Sequence, residues 1–210
     1  MPALECRREA TALLVVDPYN DFLSEGGILW PRLKDVAEEV GLVDNMRAIY
    51  AVARKAGVRL FIVPHHQWEE GSYTGWSQMT YGQRWSDDHH FCAKGTWGGE
   101  FRTEFAPTEG DVVVKQHWGS SGFANTDLDM QLKQRGISHV ILIGLIANTC
   151  IEATGRYAME LGYHVTLVRD ATAAQSRDMM RAAHELNGPA YAHAIVTTKE
   201  LLAALSKQGS

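Results

Sequence analysis

The sequence has few of the residues that identify specialised classes of protein. Only three cysteines occur in 210 residues, at positions 6, 92 and 150, an odd number at wide spacing. They suggest neither a disulfide framework nor a zinc knuckle, so a reducing compartment is expected. No apolar run approaches the length of a membrane span, and segment 1–9 has no apolar signal core. These absences favour a soluble cytoplasmic protein.

The chain also lacks a basic stripe. Lys and Arg number 20 against 25 Asp and Glu, which gives a mild formal net charge of -5. This balance argues against nucleic acid as a partner, and nothing indicates a membrane surface. The hydrophobic content of 45% is sufficient for a full core in one domain. Because repeats, low-complexity tracts and linkers are also absent, we predict a single domain over residues 1–210.

Six apolar runs predict the strands of one sheet. They are Thr11–Val16, Val58–Val63, Asp111–Val114, Val140–Gly144, His164–Val168 and Ala194–Thr197. Segments with helical spacing lie between most of them, the clearest having its apolar face at Leu42, Met46, Ile49, Tyr50 and Ala53. Apolar strands that alternate with helices imply a mainly parallel, Rossmann-like sheet covered on both faces, an α/β fold.

One long segment, from Trp68 to Phe105, departs from this alternation. It contains four of the six tryptophans, several glycines and little periodicity. A long irregular stretch inside a compact domain is usually functional or part of an interface. We therefore expect either a lid or pocket wall, with Trp68, Trp76 and Trp97 among its contact residues, or a surface packed on a neighbouring subunit.

Three predicted strands end in chemically reactive side chains. Asp17 follows the first strand directly, Lys115 follows the third, and Cys150 follows the fourth after a short connection. Ligand sites in parallel sheets lie beyond the carboxyl ends of the strands, so these side chains are expected at one rim. Together they form a coherent nucleophilic set, with a proton acceptor, a cationic partner and an attacking sulfur.

Cys150 also stands where a helix begins, since the residues from 151 to 161 have helical character. Unpaired backbone N–H groups and the positive end of a helix dipole favour the thiolate at such a position. The alternative interpretation is a buried cysteine that only fills the core. Cys6 and Cys92 have no comparable surroundings and are expected to have no role.

The segments around these three residues resemble the isochorismatase-like cysteine hydrolases. The resemblance is carried by residues 15–27, by Lys115 with 121–126, and by 144–152, in the order typical of that family. It implies a three-layer α/β/α sandwich and a catalytic triad of Asp17, Lys115 and Cys150. It also implies a cis peptide between Leu145 and Ile146, and an oxyanion hole formed by the backbone N–H groups of Ile146 and Cys150.

The resemblance extends to residues that would line the substrate pocket. It gives Phe123 an aromatic position facing the substrate. Tyr19 stands where the family motif usually has glutamine, which bears on the pocket floor, and Phe22 closes that motif. His65 or His66 is expected as a hydrogen-bonded pocket histidine. His117 and Trp118 follow Lys115 closely enough to line the pocket or to pack in a loop.

A metal site is the alternative interpretation of the histidine pairs. The candidates are His65-His66 after the second strand and the run from Asp87 to His90. Nicotinamidases of the family bind a metal through an Asp-x-His pattern near the second strand, and this sequence lacks that aspartate. We therefore expect no metal and no other cofactor.

These residues predict a cofactor-independent hydrolase that cleaves a C–N bond of a small amide, ureido or carbamoyl compound through a thioester. The enzyme alternative is an isochorismatase that cleaves a vinyl ether, and the non-enzyme alternative is a catalytically silent binding relative. The family habit and the aromatic segment also suggest a homodimer or homotetramer. Between Arg156 and Glu152, one turn apart, a structural salt bridge is expected.

Overall fold

A computed structural model describes residues 8–206, in which the six expected strands form one sheet. They are β1 (Thr11–Val16), β2 (Arg59–Val63), β3 (Val112–Val113), β4 (His139–Leu145), β5 (His164–Ala173) and β6 (Ala194–Val196). Every pair of neighbours is parallel, in the spatial order β3-β2-β1-β4-β5-β6. The predicted α/β class with a six-stranded sheet is therefore confirmed. Cys6 lies outside the described residues.

Eight α-helices are found within residues 8–206. They are α1 (Asn20–Leu23), α2 (Trp30–Val40), α3 (Leu42–Ala56), α4 (Tyr81–Asp88), α5 (Leu128–Lys133), α6 (Glu152–Glu160), α7 (Arg177–Arg181) and α8 (Thr198–Ser206). Two π-helical turns, Ala147–Ile151 and Ala182–Asn187, adjoin α6 and α7. In this part of the chain no helix combines the length and the apolar character that crossing a membrane requires.

The helices cover both faces of the sheet. Leu13 and Val15 of β1 point into a cluster formed with α2, α3 and α8, whereas Leu14 and Val16 point into a second cluster with α5 and α6. Successive strand residues face opposite sides, so a strand buried on both faces must be apolar throughout. The predicted apolar face of α3 is buried along its whole length. These layers form the expected three-layer sandwich.

β1 occupies the centre of the sheet, between β2 and β4. The chain adds strands on one side of β1 first and on the other side later, so the strand order reverses there. Such a switch point leaves a crevice at the carboxyl ends of the central strands. Asp17 and Cys150 both follow strands that meet at this crevice.

The segment from Trp68 to Phe105 is more regular than its sequence indicates, because it contains α4. That helix begins with a capping box, in which the side chain of Thr80 and that of Gln83 each bond the other's backbone N–H. Elsewhere the segment is held to α1 by two side chains. The Asp21 carboxylate accepts from the Cys92 N–H at 2.8 Å, and the Asn20 amide donates to the Trp97 carbonyl at 2.8 Å. The segment is therefore anchored beside the residues that follow β1.

Gly144 provides a test of how closely β1 and β4 approach. Its φ is +111°, and a Cβ there would lie 2.2 Å from the Val16 carbonyl oxygen of the paired strand. Gly144→Ala is expected to lower the free energy of unfolding by about 3 kcal/mol or more, measured by urea denaturation. Gly82→Ala in α4 meets nothing within 4 Å and should change it by less than about 1 kcal/mol. Equal effects of the two substitutions would contradict this account.

Two histidines, the half-buried His164 and the buried His184, make stability depend on pH. Burial lowers the pKa of His164, helped by the stacked rings of His193 and His139, and burial also lowers the pKa of His184. A histidine with a lowered folded-state pKa contributes stability above its unfolded pKa of about 6.5 and loses it as the pH falls. The contribution of His164 and His184 to the free energy of unfolding should decrease from about pH 7.5 to about pH 5.5. The decrease should be smaller in His164→Gln, and an unchanged slope would refute that residue's contribution.

Candidate active site

Three buried side chains meet at the crevice beyond β1 and β4. They are the carboxylate of Asp17, the imidazole of His117 and the thiol of Cys150, and one oxygen, nitrogen or sulfur atom of each lies within 4.8 Å of the others. Asp17 follows β1, His117 comes after β3, and Cys150 lies in the π-helical turn after β4. The predicted convergence of strand ends therefore holds for Asp17 and Cys150. The third member of the cluster is a histidine.

His117 is bound to Asp17 as an ion pair. Its Nε2 lies 3.0 Å from Asp17 Oδ1, and its Nδ1 lies 3.0 Å from the Gly119 carbonyl oxygen. Both partners are acceptors, so both ring nitrogens must carry protons. Burial opposes the charged ring, but the Asp17 carboxylate outweighs it, and the pKa of His117 is raised. Both side chains are completely buried.

The thiol of Cys150 is held in its neutral form. Burial raises its pKa well above the ordinary value, and the Asp17 carboxylate raises it further. The Thr149 hydroxyl, 3.8 Å from the sulfur, and the backbone of Ile146 act in the opposite direction and are weaker. The expectation that the helix start favours a thiolate is therefore wrong for the free protein, because desolvation outweighs the local dipoles.

Among residues 8–206, the Cys150 thiol is the one group placed to donate to the second oxygen of Asp17. Oδ2 is buried and unpaired, while Oδ1 is bonded to His117. The one remaining proton donor of the cluster is the Cys150 thiol. A buried, unpaired carboxylate oxygen is costly, and here it is positioned to accept the thiol proton.

The backbone before Cys150 has the arrangement that the resemblance implies. The Leu145–Ile146 peptide bond is cis. The backbone of Ile146 also hydrogen-bonds towards the Cys150 sulfur, which lowers the pKa of the thiol. The oxyanion hole of Ile146 and Cys150 stays a prediction.

Lys115 does not join the cluster, which corrects the expected triad. Its side chain is exposed, and its backbone N–H donates to Asp127 Oδ1 at 2.7 Å. The residue lines a separate cavity of about 570 Å³, together with Tyr19, Gln67 and Phe101 among others. Within residues 8–206 no salt bridge of Lys115 is found within 4.0 Å, and the cation beside Asp17 is His117.

The register of β2 and β3 explains why His117, and not Lys115, lies beside Asp17. Phe61 pairs with Val112, a separation of 51 positions, but His65 pairs with His117, a separation of 52. One extra residue is therefore present between the end of β3 and His117. A slip of one residue turns side chains to the opposite face. The bulge places the imidazole, and not the ammonium group, against Asp17.

Two further residues of the predicted pocket lie close to the cluster. The ring of His65 is 5.3 Å from that of His117, and burial lowers the pKa of His65. Phe123 packs in the same apolar cluster as Cys150. Their contact with substrate stays a prediction.

Beside them stands an aromatic wall, formed by His66, Tyr73, Trp76 and Trp118. His66 stacks on Trp118 at 3.6 Å between ring centroids, and Trp76 lies 5.2 Å from Trp118. Trp76 is 41% exposed, so the wall reaches the surface. Trp76, Trp118 and His66 were candidates for the pocket, whereas Tyr73 was not, because contacts between residues distant in sequence carry no periodic signal.

The other four predicted pocket residues are Tyr19, Phe22, Trp68 and Trp97, and their contact with substrate stays a prediction. Tyr19 is buried, stacks on Phe101 and donates to the His65 carbonyl at 3.0 Å. Phe22 packs edge-on against Phe91 in the core. Trp68 stacks on a histidine of the α4 region and donates to Asp87. Trp97 is 51% exposed.

The remaining expectations concern residues outside the cluster. Asp87 and His89 are engaged by Trp68 and by the Trp85 carbonyl. The predicted bridge between Arg156 and Glu152 is confirmed, at 2.9 Å. Cys92 is fully buried, and its N–H donates to Asp21. That Cys92 has no role stays a prediction.

Comparison with known proteins gives the same family as the sequence motifs. The isochorismatase domain model matches residues 11–200. A ureidoacrylate amidohydrolase of Variovorax paradoxus is 33% identical over 201 residues, covering 90% of this chain and 75% of that protein.

Solved structures agree in fold. A cysteine hydrolase of Pseudomonas syringae superposes with a TM-score of 0.76 at 26% identity, over 99% of both chains. An N-carbamoylsarcosine amidase of Thermoplasma acidophilum has a TM-score of 0.64 at 27% identity, over 90% of this chain and 96% of that one. With the family model matched along almost its whole length, the chain belongs to the isochorismatase family of hydrolases.

Proposed function

We propose that this protein is a cysteine hydrolase that cleaves a C–N bond of a small amide, ureido or carbamoyl compound. The observation that carries the proposal is a neutral buried thiol beside the unpaired Oδ2 of a buried carboxylate. The relatives named as a ureidoacrylate amidohydrolase and an N-carbamoylsarcosine amidase support this substrate class. Both names denote compounds with a carbonyl carbon bonded to nitrogen.

The reaction begins with proton transfer from Cys150 to Asp17. A neutral thiol is a weak nucleophile, so a base must take its proton as the sulfur attacks the carbonyl carbon. The carbonyl oxygen becomes an oxyanion near the N–H groups of Ile146 and Cys150. Asp17 then returns the proton to the departing nitrogen, which leaves as ammonia or an amine. A thioester on Cys150 remains.

Water completes the cycle. Asp17 removes a proton from the water, which attacks the thioester carbonyl, and the sulfur leaves and recovers a proton. The acid product departs, and the free thiol is restored. No redox step and no cofactor are required, since each bond broken is replaced by a bond to sulfur or oxygen.

His117 acts through Asp17 as a positioning residue. Its charge and hydrogen bond hold Oδ1, which leaves Oδ2 to accept the proton of the thiol. This is the role that the family resemblance assigns to a lysine. The aromatic wall and His65 offer apolar surface and few charges, which suits a small, largely neutral group next to the scissile bond.

A reducing, cytoplasmic compartment belongs to the same proposal, because Cys92 and Cys150 are both free thiols. Assembly as a homodimer or homotetramer stays a prediction.

Removal of the nucleophile tests the proposed function. Cys150→Ala should abolish ammonia release from a panel of carboxamides, ureido acids and N-carbamoyl compounds, while the urea unfolding midpoint changes little. Native protein should become acylated on Cys150 during turnover, detectable by rapid quench and mass spectrometry. Retained turnover in Cys150→Ala would refute the mechanism. Consumption of isochorismate without release of ammonia from any panel compound would refute the substrate class.

A matched pair of substitutions tests whether His117 or Lys115 is the cationic partner of Asp17. His117→Ala should lower kcat by about 100-fold or more with a small change in KM, because the base loses its orientation before it affects binding. Lys115→Ala should leave both constants unchanged. His117→Lys should recover part of kcat, since an ammonium group can also pair with Asp17. A large loss in Lys115→Ala, with His117→Ala active, would restore the expected triad.

A further inference from the structure

We propose that Asp17, His117 and Cys150 also form a binding site for a zinc-type metal ion, and that the ion blocks the enzyme reversibly. Zn²⁺ prefers thiolate sulfur, imidazole nitrogen and carboxylate oxygen as ligands. The cluster offers one of each, at a place where all three side chains are buried. The binding argument stands on this donor set, whereas its effect on hydrolysis rests on the proposed function.

The distances fit a single ion. Zinc lies about 2.0–2.3 Å from nitrogen, oxygen and sulfur ligands, so donor atoms of a tetrahedral site are about 3.3–3.8 Å apart. In this protein the His117 Nε2 and Asp17 Oδ1 atoms are 3.0 Å apart, and all three donors lie within 4.8 Å of one another. Movements of about 1 Å would bring them into place.

An unused ligand atom is already directed into the cluster. Asp17 Oδ2 is buried, and the Cys150 thiol is the donor of the cluster that lies beside it. A metal ion that displaces the thiol proton and the Nε2 proton of His117 replaces both of their hydrogen bonds to the carboxylate. A cation there would also remove the cost of an unpaired carboxylate oxygen.

The charge of the site favours a divalent ion. Zn²⁺ held by one thiolate, one carboxylate and a neutral imidazole has no net charge, so the buried cluster does not acquire an uncompensated charge. Formation of the site releases the thiol proton and one imidazole proton, and the fourth coordination position is left for water. The bound sulfur cannot attack a carbonyl, hence the enzyme is inhibited.

The histidine is what makes this possible. A charged lysine in the same position has no lone pair to offer a metal, whereas imidazole is a common zinc ligand. Because His117 occupies the position beside Asp17 that was predicted for Lys115, the set of possible metal ligands differs from the predicted one, as the triad does.

Cobalt and zinc titrations test the site independently of turnover. Co²⁺ added to the native protein should produce a thiolate-to-cobalt charge-transfer band and the visible bands of a tetrahedral ion, and Zn²⁺ should abolish both. Cys150→Ala should lose the thiolate band, and Cys150→Ala and His117→Gln should each weaken zinc binding by about 100-fold or more. Lys115→Ala should bind as the native protein does. His193→Asn controls for the stacked histidines at the opposite end of the sheet.

The activity arm separates the two proposals. Zinc at saturating concentration should stop amide hydrolysis, and a chelator should restore it. An unchanged cobalt spectrum in Cys150→Ala, or binding lost only in His193→Asn, would overturn the metal site even in an active enzyme. A thiolate–cobalt spectrum in a protein that hydrolyses no amide would support the metal site and refute the proposed function. An increase in the rate of hydrolysis on addition of zinc would refute the proposal that the ion inhibits the enzyme.

Discussion

The buried carboxylate of Asp17 is the constraint on which the site depends. It has no solvent to stabilise its charge, and the cost of such burial is several kcal/mol unless a partner compensates it. His117 supplies that compensation with a hydrogen bond and a positive charge at 3.0 Å. The extra residue after β3, the central place of β1 and the turn that carries Cys150 all bring groups to this one carboxylate. Loss of either partner would leave the other as an uncompensated buried group.

Before substrate binds, the sulfur of Cys150 is a neutral thiol, and the carboxylate of Asp17 is the group placed to accept its proton. Since burial holds the Cys150 thiol neutral, the free enzyme exposes no thiolate to oxidants or to stray electrophiles. Asp17 and His117 are hydrogen-bonded to each other, and the Cys150 thiol lies beside Asp17 Oδ2. The same donor atoms serve proton transfer when substrate is bound and metal ligation when an ion is present. Binding of substrate therefore leads to hydrolysis, and binding of a metal ion prevents it.

The segment that least resembles an α/β repeat contributes Tyr73 and Trp76 to the aromatic wall. Residues 68–105 are attached to α1 through Asn20 and Asp21, three and four positions after Asp17. Part of the wall therefore belongs to a segment that is bonded to the chain shortly after Asp17.

The sequence by itself determined the strands, their alternation with helices, Asp17 and Cys150, because apolar runs and the residues that end them are local features of the chain. The position of the cis bond followed from the family resemblance of residues 144–152. The sequence could not distinguish Lys115 from His117. Both are polar residues shortly after β3. Which of them faces Asp17 is decided by the pairing of β2 with β3, because the β3 side has one extra residue before His117 pairs with His65. The aromatic wall and the raised pKa of Cys150 likewise depend on neighbours far along the chain. Register, burial and desolvation are properties of the packed chain, so the tertiary structure alone decided them.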